Sequence, residues 1–214
     1  MIAGAQESGA DLLEARLDYL DLQARDAMDR LAEVVEGASV PIIATNRQYK
    51  QGGHRLQNEE ERVRTLLKAA ALGFQYVDLE LTTVGLKSAV RRVKNCGATV
   101  VVSFHDLEDT PGESEMERIV GSQTEAGAEV CKLVTTANDV SDSIQCLDFA
   151  RRMSQITKIV CFAMGEKGVL SRVLSPLFGA QFTFACLESG LETASGQISI
   201  TELREVYRKL GVDR

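Results

Sequence analysis

A lysine lies in the middle of an apolar run at residues 129–134, whose sequence is Glu-Val-Cys-Lys-Leu-Val. Lysine is rarely buried in full, because removing an ammonium group from water is costly. A desolvated lysine gives up its proton more easily, and the neutral amine can attack a carbonyl carbon to form a Schiff base. Lys132 is therefore a candidate nucleophile for carbonyl chemistry.

A second apolar run, at residues 100–106, contains His105, one of only two histidines in the chain. Histidine is the side chain that most often serves as a general acid or base near neutral pH. If the two runs are neighbouring strands, an amine nucleophile and an imidazole lie near the ends of adjacent strands. Such a pair suits a reaction that activates a carbonyl group and moves a proton.

The composition limits the classes of protein that need to be considered. A chain of 214 residues is long enough for one large α/β domain, and its net charge of -7 argues against nucleic acid or an acidic membrane surface as a partner. No apolar stretch approaches the roughly 18 residues that span a bilayer, and residues 1–6 lack the pattern of a secretory signal. The five cysteines form no CxxC pair, so we expect free thiols in a reducing cytoplasm and no metal site.

Seven short apolar runs alternate with helical patterns along the chain, which is typical of a parallel α/β fold. The runs are residues 11–16, 41–47, 76–81, 99–106, 129–136, 158–164 and 182–187. We predict a TIM-type (β/α)8 barrel with seven β/α units visible and the first strand lacking. An open doubly wound sheet is the alternative, but the glycine-rich turn expected after its first strand is not found here.

In a barrel of this type the active site lies at the carboxyl ends of the strands. Charged side chains stand near the ends of the first four predicted strands, at Glu14, Arg16, Arg47, Glu80 and His105. Glu14 and Arg16 are two residues apart and therefore point to the same face of their strand. The pattern predicts a polar cavity at one end of the barrel, whereas Asp78 and Glu80 are interpreted as structural residues below it.

An ordered set of motifs accompanies Lys132. The set comprises residues 10–18 (ADLLEARLD), residues 45–47 (TNR) with Gly52 and Gly53, residues 103–106 (SFHD) with Thr110 and Pro111, residues 164–165 (MG), residues 171–172 (SR) and residues 195–198 (SGQI). Together they resemble type I 3-dehydroquinate dehydratase, a Schiff-base lyase of the shikimate pathway of aromatic amino acid biosynthesis. The resemblance extends from about residue 10 to the end of the chain.

The resemblance implies a mechanism without a metal or organic cofactor. Lys132 forms an imine with the C3 ketone of 3-dehydroquinate, and His105 removes the C2 proton and then protonates the departing C1 hydroxyl. The residues implied to bind the substrate are Glu14, Arg16, Arg47, Arg172, Thr193 and Gln197. The expected protein is a cytoplasmic homodimer that acts on a small molecule and not on nucleic acid or membranes.

The chain departs from the family pattern at four places. Gln51 stands where a glutamate is usual, Ser195 where a proline is usual, and Thr193 where a serine is usual. Only ten residues precede the predicted strand at residues 11–16, where the family has a further strand and a helix. We therefore expect a single barrel domain, residues 1–214, that is N-terminally truncated relative to the family, and we expect residues 193–197 to form a mobile lid.

Two other functions stay open at this point. One is a different Schiff-base barrel, such as an aldolase that cleaves a carbon–carbon bond through the same imine, although the Ser-Phe-His and Gly-Gln-Ile stretches argue against it. The other is a truncated barrel that serves only as an inactive or binding protein. An assay for dehydration of 3-dehydroquinate distinguishes a dehydratase from the aldolase. A melting curve distinguishes an intact barrel from a truncated one, which should melt poorly or aggregate.

Overall fold

Six parallel strands form one sheet in the computed structural model, which describes residues 2–21, 26–188 and 190–212. They are β1 (Leu13–Arg16), β2 (Ile42–Thr45), β3 (Tyr76–Glu80), β4 (Thr99–His105), β5 (Val130–Thr136) and β6 (Ile159–Met164). Each strand pairs with the next one along the chain, in the order β1-β2-β3-β4-β5-β6. This connectivity is that of a β/α barrel, so the predicted α/β fold of the TIM type is confirmed.

Helices lie before, between and after the strands. They are α1 (Ile2–Glu7), α2 (Ala27–Glu36), α3 (Glu59–Ala71), α4 (Leu86–Asn95), α5 (Glu113–Ala126), α6 (Val140–Met153), α7 (Val169–Leu174) and α8 (Ile200–Lys209). One helix, α2 to α6, lies in each connection between consecutive strands, whereas α1 precedes β1 and α7 and α8 follow β6. Short 3-10 turns lie at Leu17–Tyr19, Tyr49–Gln51, Glu166–Gly168 and Ser175–Phe178. In the part of the chain that the structure describes, no helix has the length and apolar character needed to cross a bilayer.

The strand register decides which side chains face the inside of the curled sheet. Ser103 on β4 is paired with Lys132 on β5, and His105 is paired with Val134. Side chains two residues apart share a face of a strand, so His105 and Lys132 both face inward. The alternate residues, such as Val77 and Leu79 on β3, pack outward in the large core beneath the helices.

The run at residues 182–187, predicted as the seventh strand, is not a strand in the structure. Only Cys186 takes part in an isolated parallel bridge, which pairs it with Ser199. Gln181 donates its backbone N–H to Ile159 O on β6 over 2.8 Å, but the chain then leaves the edge of β6. Phe182 and Phe184 instead pack inward on the apolar cluster around Phe162, so burial of these rings takes the place of strand pairing.

The N-terminal segment is helical, and β1 is the edge strand of the sheet as far as the described residues show. The Gln6 side chain accepts a hydrogen bond from the backbone N–H of Ser39 over 2.6 Å. Arg204 on α8 donates to the backbone carbonyl oxygen of Gly9. The segment before β1 is thus held by contacts to the turn after α2 and to the last helix.

Candidate active site

A cavity of about 150 Å³ opens at the carboxyl ends of the strands. It is lined by all eight residues that the sequence analysis selected: Glu14, Arg16, Arg47, His105, Lys132, Arg172, Thr193 and Gln197. Gln51 and Phe184 contribute to the same wall. The location is the one that barrel enzymes use for catalysis.

Lys132 is buried in this cavity, with 4% of its surface exposed. Its Nζ donates a hydrogen bond to Asp78 Oδ2 over 3.0 Å and lies 3.9 Å from Glu14 Oε1. The same nitrogen is 4.3 Å from the centre of the Phe184 ring, which is a cation–π distance. The positive charge of the ammonium group is thus compensated by a carboxylate and an aromatic face. Both come from other parts of the chain, since the neighbours of Lys132 in its own strand are apolar.

His105 ends β4 two residues beyond Ser103, the pairing partner of Lys132. Its Nδ1 is buried and has no hydrogen-bond partner in the part of the chain that the structure describes. Burial lowers the pKa of His105 well below its ordinary value, and the positive charges of Arg47 and Lys132 add to this effect. A neutral imidazole with an unpaired nitrogen can accept a proton from a bound molecule.

Gln51 connects the loop after β2 to the end of β4. Its Oε1 accepts the backbone N–H of His105 over 3.0 Å, and its Nε2 donates to Thr82 Oγ1 over 2.8 Å. The loop turns tightly on itself because residue 53 is glycine: a Cβ there would lie 2.2 Å from the carbonyl oxygen of Arg47 in the same loop. The uncharged amide therefore holds the His105 backbone without placing a negative charge beside the imidazole.

A group of buried charges surrounds the base of the cavity. Arg47 donates from Nη2 to Asp78 Oδ2 over 2.7 Å, and from Nη1 to Glu80 Oε1 over 2.9 Å and to Ser103 Oγ over 2.7 Å. Burial alone would lower the pKa of Arg47, but the Asp78 and Glu80 carboxylates outweigh burial and raise it. Burial would likewise raise the pKa of Asp78, yet Arg47 and Lys132 hold it below the ordinary value.

Asp78 was interpreted from the sequence as a structural residue below the cavity, and it does bond inside the barrel, to Arg47, Ser103 and Lys132. It contacts the candidate nucleophile directly and shares its carboxylate between Lys132 and Arg47. The available signal was its position two residues before Glu80 in an otherwise apolar strand. That spacing places both carboxylates on the inner face, where Lys132 also points.

Glu14 and Arg16 both line the cavity but have different partners. Glu14 Oε1 accepts a hydrogen bond from Thr45 Oγ1 over 2.7 Å. Arg16 directs its guanidinium fork at Asp18, with distances of 2.9 Å from Nε to Oδ1 and 2.7 Å from Nη2 to Oδ2. The Arg16 fork is therefore engaged within the protein, although the side chain borders the cavity.

Arg172, by contrast, is a buried cation with few contacts. It is 2% exposed, and among the described residues its Nε has no hydrogen-bond partner. Its Nη2 donates to the backbone oxygen of Ser195 over 3.3 Å. Its guanidinium stacks 4.4 Å from the centre of the Phe162 ring. Burial lowers the pKa of Arg172 to about 10. Such a group is suited to receive an anion through charge-assisted hydrogen bonds.

Residues 193–197 cross the mouth of the cavity above the end of β6. The backbone N–H of Gly165 donates to Ser195 O over 3.2 Å, and the backbone N–H of Thr193 donates to Gln197 Oε1 over 2.7 Å. Gly196 has a φ of +77°, and a Cβ there would lie 2.4 Å from Gly165 O. The close approach of this segment to β6 therefore requires glycine.

The curled parallel sheet and its polar cavity define a protein of the TIM-barrel class with an enzyme-like site. The model of the type I 3-dehydroquinase family matches residues 1–214. The chain belongs to that family. This membership confirms the resemblance and the prediction that the protein is a hydro-lyase.

Similar relatives and solved structures support the same assignment. The 3-dehydroquinate dehydratase of Dehalococcoides mccartyi (strain ATCC BAA-2266 / KCTC 15142 / 195) is 35% identical over 208 residues, which is 97% of this chain and 90% of that protein. The enzyme of the same name from Desulfotalea psychrophila is 32% identical, over 94% of this chain and 88% of that protein. The crystal structure of 3-dehydroquinate dehydratase from Geobacillus kaustophilus has a TM-score of 0.87 and 27% identity, over 97% of this chain and 83% of that chain.

Proposed function

We propose that this protein is a 3-dehydroquinate dehydratase, which removes water from 3-dehydroquinate to give 3-dehydroshikimate in the shikimate pathway. Family membership supports the reaction and the substrate. The observation that carries the mechanism is the placement of a buried lysine and a neutral histidine on the inner faces of adjacent strands, in one cavity. Arg172, whose Nε has no hydrogen-bond partner among the described residues, borders the same space.

In the first step, the Lys132 amine attacks the C3 carbonyl of the substrate, and a water molecule leaves as the imine forms. The ammonium must lose its proton before it can attack. The protonated imine carries the same positive charge as the ammonium did. Asp78, 3.0 Å from Nζ, therefore faces a cation before and after imine formation, and Glu14 lies near it on the other side.

In the second step, His105 takes the C2 proton, because the iminium withdraws electrons from that carbon and an enamine forms. The protonated His105 then gives the proton to the C1 hydroxyl, which leaves as water while the enamine electrons restore the iminium. One water molecule finally hydrolyses the iminium and frees Lys132. The balance is the loss of one water molecule, and one imidazole serves as both base and acid.

The remaining predicted residues bind the substrate in this proposal. Arg172 pairs with the carboxylate, since its Nε has no partner within the protein. Glu14, Arg16, Arg47, Thr193 and Gln197 line the cavity, where they hold the hydroxyl groups and the carboxylate end of the ring. Arg16 is paired with Asp18 and Arg47 with Asp78. These ion pairs hold the two arginines in place, so their main effect is on the shape of the cavity. The predictions of a cytoplasmic location and of a homodimer belong to the same proposal.

The test is a steady-state assay with 3-dehydroquinate that follows the ultraviolet absorbance of the conjugated enone product. The protein should produce 3-dehydroshikimate, Lys132→Met should lose several orders of magnitude in kcat, and the exposed Lys158→Met should retain wild-type activity. Release of a smaller carbonyl fragment would support the aldolase alternative. Absence of turnover in a protein with a cooperative melting curve would support the alternative of a binding protein.

A further inference from the structure

Six side chains of alternating charge connect helix α3 to the candidate nucleophile. In order, they are Glu59, Arg62, Glu80, Arg47, Asp78 and Lys132. Each neighbouring pair is an ion pair, and the four middle members are almost completely buried. The first member, Glu59, reaches the surface at the start of α3, with 28% of its side chain exposed.

Arg62 is the buried arginine of this series that does not line the cavity. It is 1% exposed, and all five of its N–H groups have acceptors. Nε and Nη2 donate to the two oxygens of Glu59, both over 2.8 Å, and Nη2 also donates to Thr83 Oγ1 over 2.9 Å. Nη1 donates to Glu80 Oε2 and, over 2.9 Å, to the backbone oxygen of Asn46.

The acidic members of the chain are each shared between two cations. Glu80 receives Arg62 on Oε2 and Arg47 on Oε1, and Asp78 receives Arg47 and Lys132. Removal of the Arg62 charge would leave Glu80 with one cationic partner instead of two. Arg47 would then divide its charge differently between Glu80 and Asp78. In turn, the charge that Asp78 presents to Lys132 depends on Arg47.

We propose that Arg62 is a positioning residue for the Lys132 amine: its charge and its hold on Glu80 limit how strongly Asp78 retains the Lys132 ammonium. The catalytic role of Lys132 in this inference rests on the proposed function. Arg62 itself touches no part of the cavity, so its effect reaches Lys132 only through the buried ion pairs.

The physical reason has two parts that act in the same direction. Loss of the Arg62 charge makes the interior more negative, and Arg47 then moves its charge towards Glu80 and away from Asp78. Both changes stabilise the ammonium form of Lys132, so the neutral amine appears at higher pH. The charged and titratable groups that face Lys132 are Glu14 from β1, Arg47 after β2, Asp78 from β3 and His105 from β4. None of these four residues is itself replaced by a substitution at residue 62.

The experiment measures the rate at which borohydride traps Lys132 with 3-dehydroquinate between pH 5 and 9. In Arg62→Met the rise of the rate with pH should move to higher pH, which lowers the rate at pH 6 by about threefold to tenfold. Glu59→Gln frees the Arg62 charge, so the rise should move the other way and the rate at pH 6 should increase by about twofold. Arg62→Lys keeps the charge and should lie near wild type.

Arg64→Met is the matched control, because Arg64 lies on the same helix, is exposed, and pairs only with Glu60. A purely structural role for Arg62 would lower the melting temperature and leave the pH dependence in place. The inference is overturned if Arg62→Met and Glu59→Gln leave the pH dependence at its wild-type position or move it in the same direction. If Arg62→Met does not fold, Glu59→Gln is the remaining test. The inference is then overturned if the trapping rate of Glu59→Gln at pH 6 does not exceed that of the wild type.

A second measurement separates this inference from the proposed function. Acetylation of Lys132 by acetic anhydride, followed by peptide mass mapping across the same pH range, reports the neutral amine without any substrate. The order of rates at pH 6 should again be Glu59→Gln, then wild type, then Arg62→Met. If borohydride traps nothing in the wild type but this order appears, the proposed function fails and the inference holds. If trapping succeeds and the order is absent, the inference alone fails.

Discussion

The two sides of the cavity differ in how completely their polar groups are paired. The charged wall, formed by residues of β1 to β3 and the β2 loop, contains Arg47, Asp78 and Glu80, whose charges are matched by ion pairs within the protein. The receiving wall, formed by His105, Phe162, Phe184 and Arg172, has apolar surfaces and two buried nitrogens without partners. These are Nδ1 of His105 and Nε of Arg172.

This difference in pairing indicates that the two walls have different roles. A buried charge that is fully paired is held in one geometry, and the removal of one partner leaves another charge uncompensated. A buried donor or acceptor without a partner costs free energy until a ligand satisfies it. The charged wall therefore fixes the position of Lys132, and the receiving wall has polar groups that a bound ligand can satisfy.

The largest effect on the reaction within this comparison should come from His105 on the receiving wall. We expect His105→Ala to form the imine but to lower kcat by about 10²–10⁴-fold or more, because one imidazole performs both proton transfers. Intact-protein mass spectrometry after borohydride reduction should show an accumulated adduct. Wild-type turnover in this variant would remove His105 from the mechanism.

Removal of a charge from the charged wall should lower stability, whereas removal of a charge from the receiving wall should weaken substrate binding. Asp78→Asn leaves Arg47 and Lys132 undercompensated, so we expect it to lower the free energy of unfolding by about 3–5 kcal/mol. Arg172→Leu removes a buried cation that has no carboxylate partner in the described chain, so stability should be kept while KM rises about tenfold to hundredfold. Urea denaturation and steady-state kinetics on both variants test the contrast. Equal destabilisation by the two changes would contradict it.

The lowered pKa of His105 predicts a pH dependence of stability. The unfolded chain binds a proton at this histidine below about pH 6.5, whereas the folded protein binds it only at a much lower pH. The free energy of unfolding should therefore fall as the pH drops below this value, by up to about 1.4 kcal/mol per pH unit from this residue. His105→Asn should remove this part of the slope between pH 6.5 and 5, measured by urea denaturation. The exposed His54→Asn is the control and should keep the slope, and a wild-type slope in His105→Asn would contradict the assignment.

The smallest effect should come from the segment at the cavity mouth. Gly196→Ala places a Cβ against Gly165 O at a positive φ, so the segment must shift, and we expect KM to rise about threefold to tenfold. Gly190→Ala is the control, since Gly190 has a φ of +95° but no atom within 4 Å of an added Cβ. If residues 193–197 are a lid, product binding should slow their amide hydrogen exchange. Equal exchange with and without product would count against a lid.

Much of the fold and of the site could be predicted from the sequence. Most residues of β2 to β6 are buried, whereas all four residues of β1 are only partly buried. The short, largely apolar runs between helical patterns were sufficient to identify these six strands. The run at residues 182–187 has the same local character, but Phe182 and Phe184 turn into the barrel interior. A single sequence does not reveal that choice, because it depends on the space beside Lys132 and Phe162.

The role of Asp78 was hidden for a similar reason. Its sequence position indicates the inner face of β3, but the register between strands decides that its carboxylate meets Lys132, two strands away. Gln51 was identified as a departure from the family pattern, whereas its hydrogen bond to the His105 backbone depends on how the β2 loop folds. Long-range pairing of this kind is a property of the tertiary structure and not of local spacing.

The central claim is that Lys132 is the amine that carries the substrate. The most direct measurement is borohydride reduction of the protein in the presence of 3-dehydroquinate, followed by peptide mass mapping. The account predicts that the added mass lies on the peptide that contains Lys132 and that Lys132→Met prevents the labelling. A label on Lys158 or Lys167, or full turnover without any label on Lys132, would contradict it.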